Sequence, residues 1–168
     1  MLPTEELNIM TYLYYFNGAG VASGDFNNDG RIDLFFAGNN SPCKLYLNEG
    51  NWKFREVTSL TGINTEGEWS TGVSVVDINN DGLTDIYVNQ VGNFRDFKGR
   101  NKLFICTGVT DGIPAYVEKA AEYGLDFCGL ATQSLFFDYD LDGDLDMYQL
   151  NHSVHENGTF GERRNFLG

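Results

Sequence analysis

The chain lacks a run of 18 apolar residues, so no segment reads as a membrane-spanning helix. Its opening, MLPTEELNIM, has neither a basic stretch nor an apolar core of the kind a secretory signal needs. Cysteine is scarce. Cys43, Cys106 and Cys128 show no CxxC spacing, their odd number leaves one unpaired, and free buried thiols are expected rather than a disulfide framework. Histidine is scarcer still, with only His152 and His155 in NHSVHENG. No nucleophile or third ligand stands near them, so they read as part of a polar surface loop rather than an acid/base pair. Basic residues are also few. Against 24 acidic residues stand 11 basic ones, giving a formal net charge of −13. That balance argues against nucleic acid, whose phosphates call for a basic surface, and against an anionic membrane.

Aspartate is what the chain has in excess, and it is clustered. DFNNDGRID spans Asp25 to Asp33, DINNDGLTD spans Asp77 to Asp85, and DYDLDGDLD spans Asp138 to Asp146. Eleven of the 24 acidic residues lie in these three stretches. Each has Asp at position 1, Asn or Asp at 3, Asp at 5, Gly at 6 and Asp at 9. Oxygen-bearing side chains on alternate residues, followed by a glycine that permits a sharp turn, suit a loop wrapped around a hard cation. Side chains at 1, 3, 5 and 9 would supply oxygens, and the residue at 7 its backbone carbonyl, which makes Arg31 tolerable there. The alternative is a metal-free turn, since Asn, Asp and Gly are common turn formers. A turn, however, does not call for a carboxylate at position 9 three times over.

An EF-hand is excluded. It needs Glu at position 12 and flanking helices, whereas position 12 is Phe36, Val88 or Gln149. The flanks GVASG, GVSVV and QSLFF before the loops, and LFFAGN, IYVNQ and MYQLN after them, are short and strand-like. Position 2 is Phe26, Ile78 or Tyr139, expected to turn inward as an anchor. The repeat also extends beyond the loop: KLYLN (44–48) answers KLFIC (102–106), and FREVTSLTGI (54–63) answers YVEKAAEYGL (116–125). Four short strands per 50 to 60 residues describe a propeller blade, a four-stranded antiparallel sheet stacked against its neighbours. A sandwich is the all-β alternative.

The strand–DxNxDGxxD–strand unit, clearest in GVASGDFNNDGRIDLFF, resembles the FG-GAP or VCBS repeat, which builds seven-bladed β-propellers including the head of integrin α chains. The wider pattern is similar to large bacterial VCBS-repeat proteins, many carrying an ASPIC/UnbV module. The resemblance implies an all-β fold of about two and a half blades: an N-terminal strand segment over 1–17, blade one over 18–64, blade two over 65–130 and an incomplete blade three over 131–168. It also implies about three Ca²⁺ ions, one per loop. The side-chain ligands would be Asp25, Asn27, Asp29 and Asp33; Asp77, Asn79, Asp81 and Asp85; and Asp138, Asp140, Asp142 and Asp146. The carbonyl ligands would come from Arg31, Leu83 and Asp144. Three such ions would take the formal charge from −13 to −7.

The function so implied is a non-catalytic binding or scaffold module of an exported or cell-surface protein, with its export signal and remaining blades outside this stretch. Its partner would be a protein or a carbohydrate. The second reading is part of a carbohydrate-active enzyme or lectin, for which Trp52 and Trp69 offer too few aromatic platforms to decide. VGNFRDFKGR (91–100) reads as an insertion in blade two, with Phe94, Arg95 and Phe97 as candidate ligand contacts.

Overall fold

A computed structural model describes residue 5 and residues 8–153. The chain divides into two compact units, Ala19–His152 and a second comprising Met1–Gly18 with Ser153–Gly168. Among the described residues there is no α-helix, and the fold is all-β.

In the larger unit, β1 (Val21–Gly24), β2 (Asp33–Phe36), β3 (Lys44–Gly50) and β4 (Lys53–Glu56) form a four-stranded antiparallel sheet in chain order. A second sheet follows the same course with β5 (Ser70–Val76), β6 (Asp85–Gln90), β9 (Lys102–Thr110) and β10 (Ile113–Glu118). The third holds β11 (Ala131–Phe137) paired with β12 (Asp146–Asn151). Between β6 and β9 the insertion forms a small hairpin, β7 (Gly92–Phe94) with β8 (Phe97–Lys98), whose Phe97 ring packs 5.0 Å from Trp69. It is thus an ordered two-stranded element rather than a plain loop.

Strand alternation decides which side chains meet. A period of two sends neighbours to opposite faces, and in the first sheet Ala22, Phe35, Leu45 and Leu47 share one face. They form a single core with Val73, Ile86, Val88, Phe104 and Tyr116 of the second sheet. The second sheet's other face carries Tyr87, Leu103 and Ile105, which pack with Phe136 and Met147 of the third. The middle sheet is therefore covered on both sides, and every residue of β6 is buried. That explains why Ile86, Tyr87 and Val88 follow one another without alternation, and why the polar Asp85, Asn89 and Gln90 of the same strand are buried too.

Glycine sets how closely the sheets approach. A Cβ on Gly20 would lie 2.8 Å from the backbone nitrogen of Val73, and one on Gly72 only 2.2 Å from the carbonyl oxygen of Thr132. Both occupy the fifth position before their aspartate loop, so the repeat places its closest backbone contact at the same point each time.

The N-terminal stretch corrects one expectation. Residues 9–17 are turns, not a strand. Asn8 is the reason: its carbonyl accepts from the N–H of Thr11 at 3.1 Å and Tyr12 at 2.8 Å, and its side-chain oxygen accepts from the N–H of Met10 at 2.8 Å. Local side-chain capping draws the backbone into turns despite the alternating aromatics.

Because the Thr132 carbonyl cannot yield without shifting its strand, Gly72→Ala is expected to lower the unfolding free energy by about 2 kcal/mol. A urea midpoint unchanged from the parent chain would contradict this close approach.

Candidate metal loops

All three aspartate stretches connect the first two strands of a sheet, and their backbones follow one path. Position 4 is left-handed in each, with φ of 59° at Asn28, 57° at Asn80 and 63° at Leu141. Position 6 is glycine with φ of 81°, 80° and 95° at Gly30, Gly82 and Gly143. Two left-handed residues in a row of three curl the loop on itself, so that alternate side chains turn to one side.

The first aspartate holds the curl. Asp25 accepts from the N–H of Asp29 at 3.0 Å and of Gly30 at 2.7 Å. Asp77 accepts from Asp81 at 3.0 Å and Gly82 at 2.8 Å, and Asp138 from Asp142 at 3.2 Å and Gly143 at 3.1 Å. Position 5 accepts from the N–H of position 7: Asp29 from Arg31 at 2.9 Å, Asp81 from Leu83 at 2.8 Å, Asp142 from Asp144 at 3.1 Å. At position 3, Asn27 and Asn79 donate their side-chain N–H to the position 5 carboxylate at 3.0 and 2.9 Å.

Position 9 has a task that the spacing alone did not reveal. Asp33 is fully buried and accepts from the N–H of Phe26 at 2.9 Å and of Asn48 at 2.7 Å. Asp85 repeats this with Ile78 at 3.1 Å and Cys106 at 2.8 Å. Each carboxylate thus ties its loop to the third strand of the sheet. The signal was present in KLYLN and KLFIC, whose last residues Asn48 and Cys106 provide the second N–H. Asp146 keeps the first bond, from Tyr139 at 3.0 Å, but is itself exposed.

Electrostatics follow from burial. Desolvation pushes the Asp33 and Asp85 carboxyls above the ordinary carboxylate range, against the pull of their backbone donors, and the other loop aspartates push the same way. Asp29 goes the other way. Its slight desolvation is outweighed by hydrogen bonds from Asn27 and Arg31 and by the Arg31 charge, so its carboxyl titrates low. Repulsion from Asp142 raises Asp144, which lies in the open.

The loops differ in ways that bear on a cation. In the third, oxygens of Asp138, Asp140 and Asp146 lie within 4.8 Å of one another, the one acidic trio so gathered among the described residues. In the first, the Arg31 guanidinium sits 2.5 Å from Asp29 and also donates to the Asn48 carbonyl at 2.7 Å, so its side chain engages the loop rather than standing clear of it. Asn27 is nine-tenths buried, and its side-chain oxygen has no hydrogen-bond partner. Of the inward anchors, Phe26 is buried and Ile78 packs in the second core, but Tyr139 is 75% exposed because no further sheet covers it among the described residues.

Other candidates fall outside this geometry. Cys43 and Cys106 are buried free thiols and Cys128 is half-buried and free. His152 gives its backbone N–H to the Leu130 carbonyl at 3.0 Å, while His155 lies outside the described residues. Trp69 is buried, Trp52 is 93% exposed, and Arg95 lies 5.6 Å over the Phe94 ring on the inserted hairpin.

Comparison with known families agrees with this geometry: the FG-GAP-like repeat matches residues 25–88, which hold the first two loops, strands β2 to β5 and most of β6. The chain carries an FG-GAP-like repeat. It is also similar to cartilage acidic protein 1 from Mus musculus and from Homo sapiens, at 31% identity over 134 residues in both, covering 78% of this chain and 20% of each relative. The Xenopus tropicalis protein of that name is 31% identical over 91 residues, covering 54% of this chain and 13% of that one. The chain thus spans a fifth or less of the length of the curated relatives it matches.

The third loop departs from the first two where backbone strain can be read. Leu141 adopts the left-handed conformation that Asn28 and Asn80 tolerate, and it is 86% exposed, so nothing is gained from its side chain. Leu141→Asn is expected to stabilise the chain by roughly 0.5–1 kcal/mol, while Asn80→Leu should cost a similar amount. Paired thermal melts of the two variants check the opposite signs; equal shifts in one direction would contradict the strain at position 4.

Proposed function

We propose that the three loops bind calcium, and that the chain is part of a non-catalytic, calcium-stabilised propeller that binds or scaffolds partners outside the cytoplasm. The observation that carries the calcium reading is the Asn27 side-chain oxygen, buried without a partner in an oxygen-lined loop. A buried unpaired acceptor is costly unless something electropositive meets it. The Asp138, Asp140 and Asp146 oxygens, gathered within 4.8 Å, support it independently. All the donors are oxygen, as hard cations require, and their irregular arrangement suits calcium over magnesium, which insists on octahedral geometry.

The residues that would hold the ions are those at positions 1, 3, 5 and 9, with the carbonyls of Arg31, Leu83 and Asp144. A bound ion would supply charge that offsets the crowded carboxylates, while the chain's own hydrogen bonds keep the loops curled. Asp33 and Asp85 use one lone pair on each oxygen for backbone donors, which leaves further lone pairs on the same carboxylate. Similarity to cartilage acidic protein 1 supports an extracellular setting, and the acidity of this chain is of a kind with that name. The FG-GAP-like repeat and the similarity to cartilage acidic protein 1 support a binding role over catalysis.

Calcium sites of extracellular modules bind near 10⁻⁴ M. At ~1 mM calcium each site would then stabilise the fold by about 1.4 kcal/mol, and three by roughly 4 kcal/mol. That is a large share of a domain's margin. The chain should therefore melt markedly lower in EDTA than in millimolar calcium, and Asp81→Ala should shrink the difference by about a third. Superimposable melting curves with and without calcium would show that the loops are turns only.

A further inference from the structure

The first two aspartate loops touch through a residue that the repeat does not require. Thr84, at position 8 of the second loop, donates its hydroxyl to the carbonyl of Asp25, at position 1 of the first, at 3.1 Å. Its methyl lies over Gly24, 3.6 Å from where a Cβ there would stand. The Thr84 carbonyl in turn accepts from the Tyr116 hydroxyl at 3.1 Å, and Tyr116 is buried in the core between the two sheets. In the first sheet the same two repeat positions hold Ile32 and Phe54, and position 8 of the third loop is Leu145. None of these three has a hydroxyl, so the relay occurs where loop two meets loop one and is not a property of the repeat. A second contact runs the other way. Asn27, at position 3 of the first loop, donates its amide to Asp29 at 3.0 Å and to the Gly112 carbonyl, in the turn between β9 and β10, at 3.2 Å.

Thr84 stands between Leu83 and Asp85, which would give the second site its carbonyl and its ninth-position carboxylate, so whatever seats Thr84 seats both. Each loop is curled by its own hydrogen bonds and opened by carboxylate repulsion, and the Thr84–Asp25 bond requires both loops to be in place. We propose that the first two loops bind calcium cooperatively, with Thr84 as the positioning residue that couples them. This rests on the calcium reading above and adds a dependence of one site on the other. An ion that closes either loop sets its half of the bond and so favours closure of the other, and the effect is reciprocal. Asn27 acts in the same sense: a cation drawing on its unpartnered side-chain oxygen polarises the amide and strengthens the N–H held by Gly112. One neutral hydrogen bond shared between two sites sets the coupling at about fivefold in affinity, the low end for linked sites.

The test measures calcium association constants by competition with a chromophoric chelator, in variants of the full chain. Asp138→Asn leaves loops one and two; adding Asp77→Asn leaves loop one, and adding Asp25→Asn instead leaves loop two. The product of the two constants in Asp138→Asn should exceed the product of the two single-loop constants by about fivefold. Thr84→Val in all three chains should bring that ratio close to one without changing the number of ions bound. Thr84→Ser, which keeps the hydroxyl, should preserve the ratio. Should Thr84→Val lose its strand circular dichroism, Tyr116→Phe removes the other hydroxyl of the relay, with the residue type the first sheet already holds there, and should lower the ratio in the same way. No ion bound by any of these chains would sink the calcium reading and the coupling with it. Two ions bound by Asp138→Asn with a ratio of one, or a ratio that survives Thr84→Val, would overturn the coupling alone.

Discussion

A buried carboxylate at the ninth position of the loop is the constraint on which each four-stranded blade depends. Asp33 and Asp85 sit where three chain segments converge, and each spends both oxygens on backbone donors, one from its own loop and one from the third strand. Removing either would orphan two N–H groups at once, one buried and one part-buried, a cost of several kcal/mol. Their desolvation disfavours the charged form in the fold. The loop is therefore held by good geometry and opposed by poor electrostatics, and a cation bound there would improve the second without disturbing the first.

From that tie the stacking follows. The loop fixes the register of the first two strands, the register fixes which side chains face which neighbour, and the facing sets build a core between successive sheets. Loop one is also clamped to the second sheet, since Asn27 donates to the Gly112 carbonyl at 3.2 Å and the Thr84 hydroxyl to the Asp25 carbonyl at 3.1 Å. The first aspartate loop is thus part of the joint between the first two sheets and not a surface ornament. In the third sheet the ninth-position aspartate is exposed and lacks its second donor among the described residues, and there the anchor Tyr139 is exposed too.

Much of this was legible in the residues because the repeat is internal. Three aspartate loops, two DxNxDGxxD and one with Asp140 at the third position, separated strand from loop, and KLYLN against KLFIC located the third strands. What the sequence concealed were effects of direction and partnership. Asp at position 9 reads as a ligand in one dimension, and only its burial shows the hydrogen bonds to Asn48 and Cys106. Arg31 reads as a bystander offering its carbonyl, yet its guanidinium reaches both Asp29 and β3. Alternating aromatics in residues 9–17 resemble a strand, and the capping oxygen of Asn8 overrides that pattern locally.

Whether the loops take up metal is decided by a direct count of bound ions. Chelator-stripped chain should bind about three calcium ions by titration calorimetry at millimolar calcium, and the triple variant Asp25→Asn, Asp77→Asn, Asp138→Asn should bind none while keeping its strand circular dichroism. No heat from the parent chain, or the same stoichiometry in the triple variant, would contradict the assignment of these aspartates to calcium.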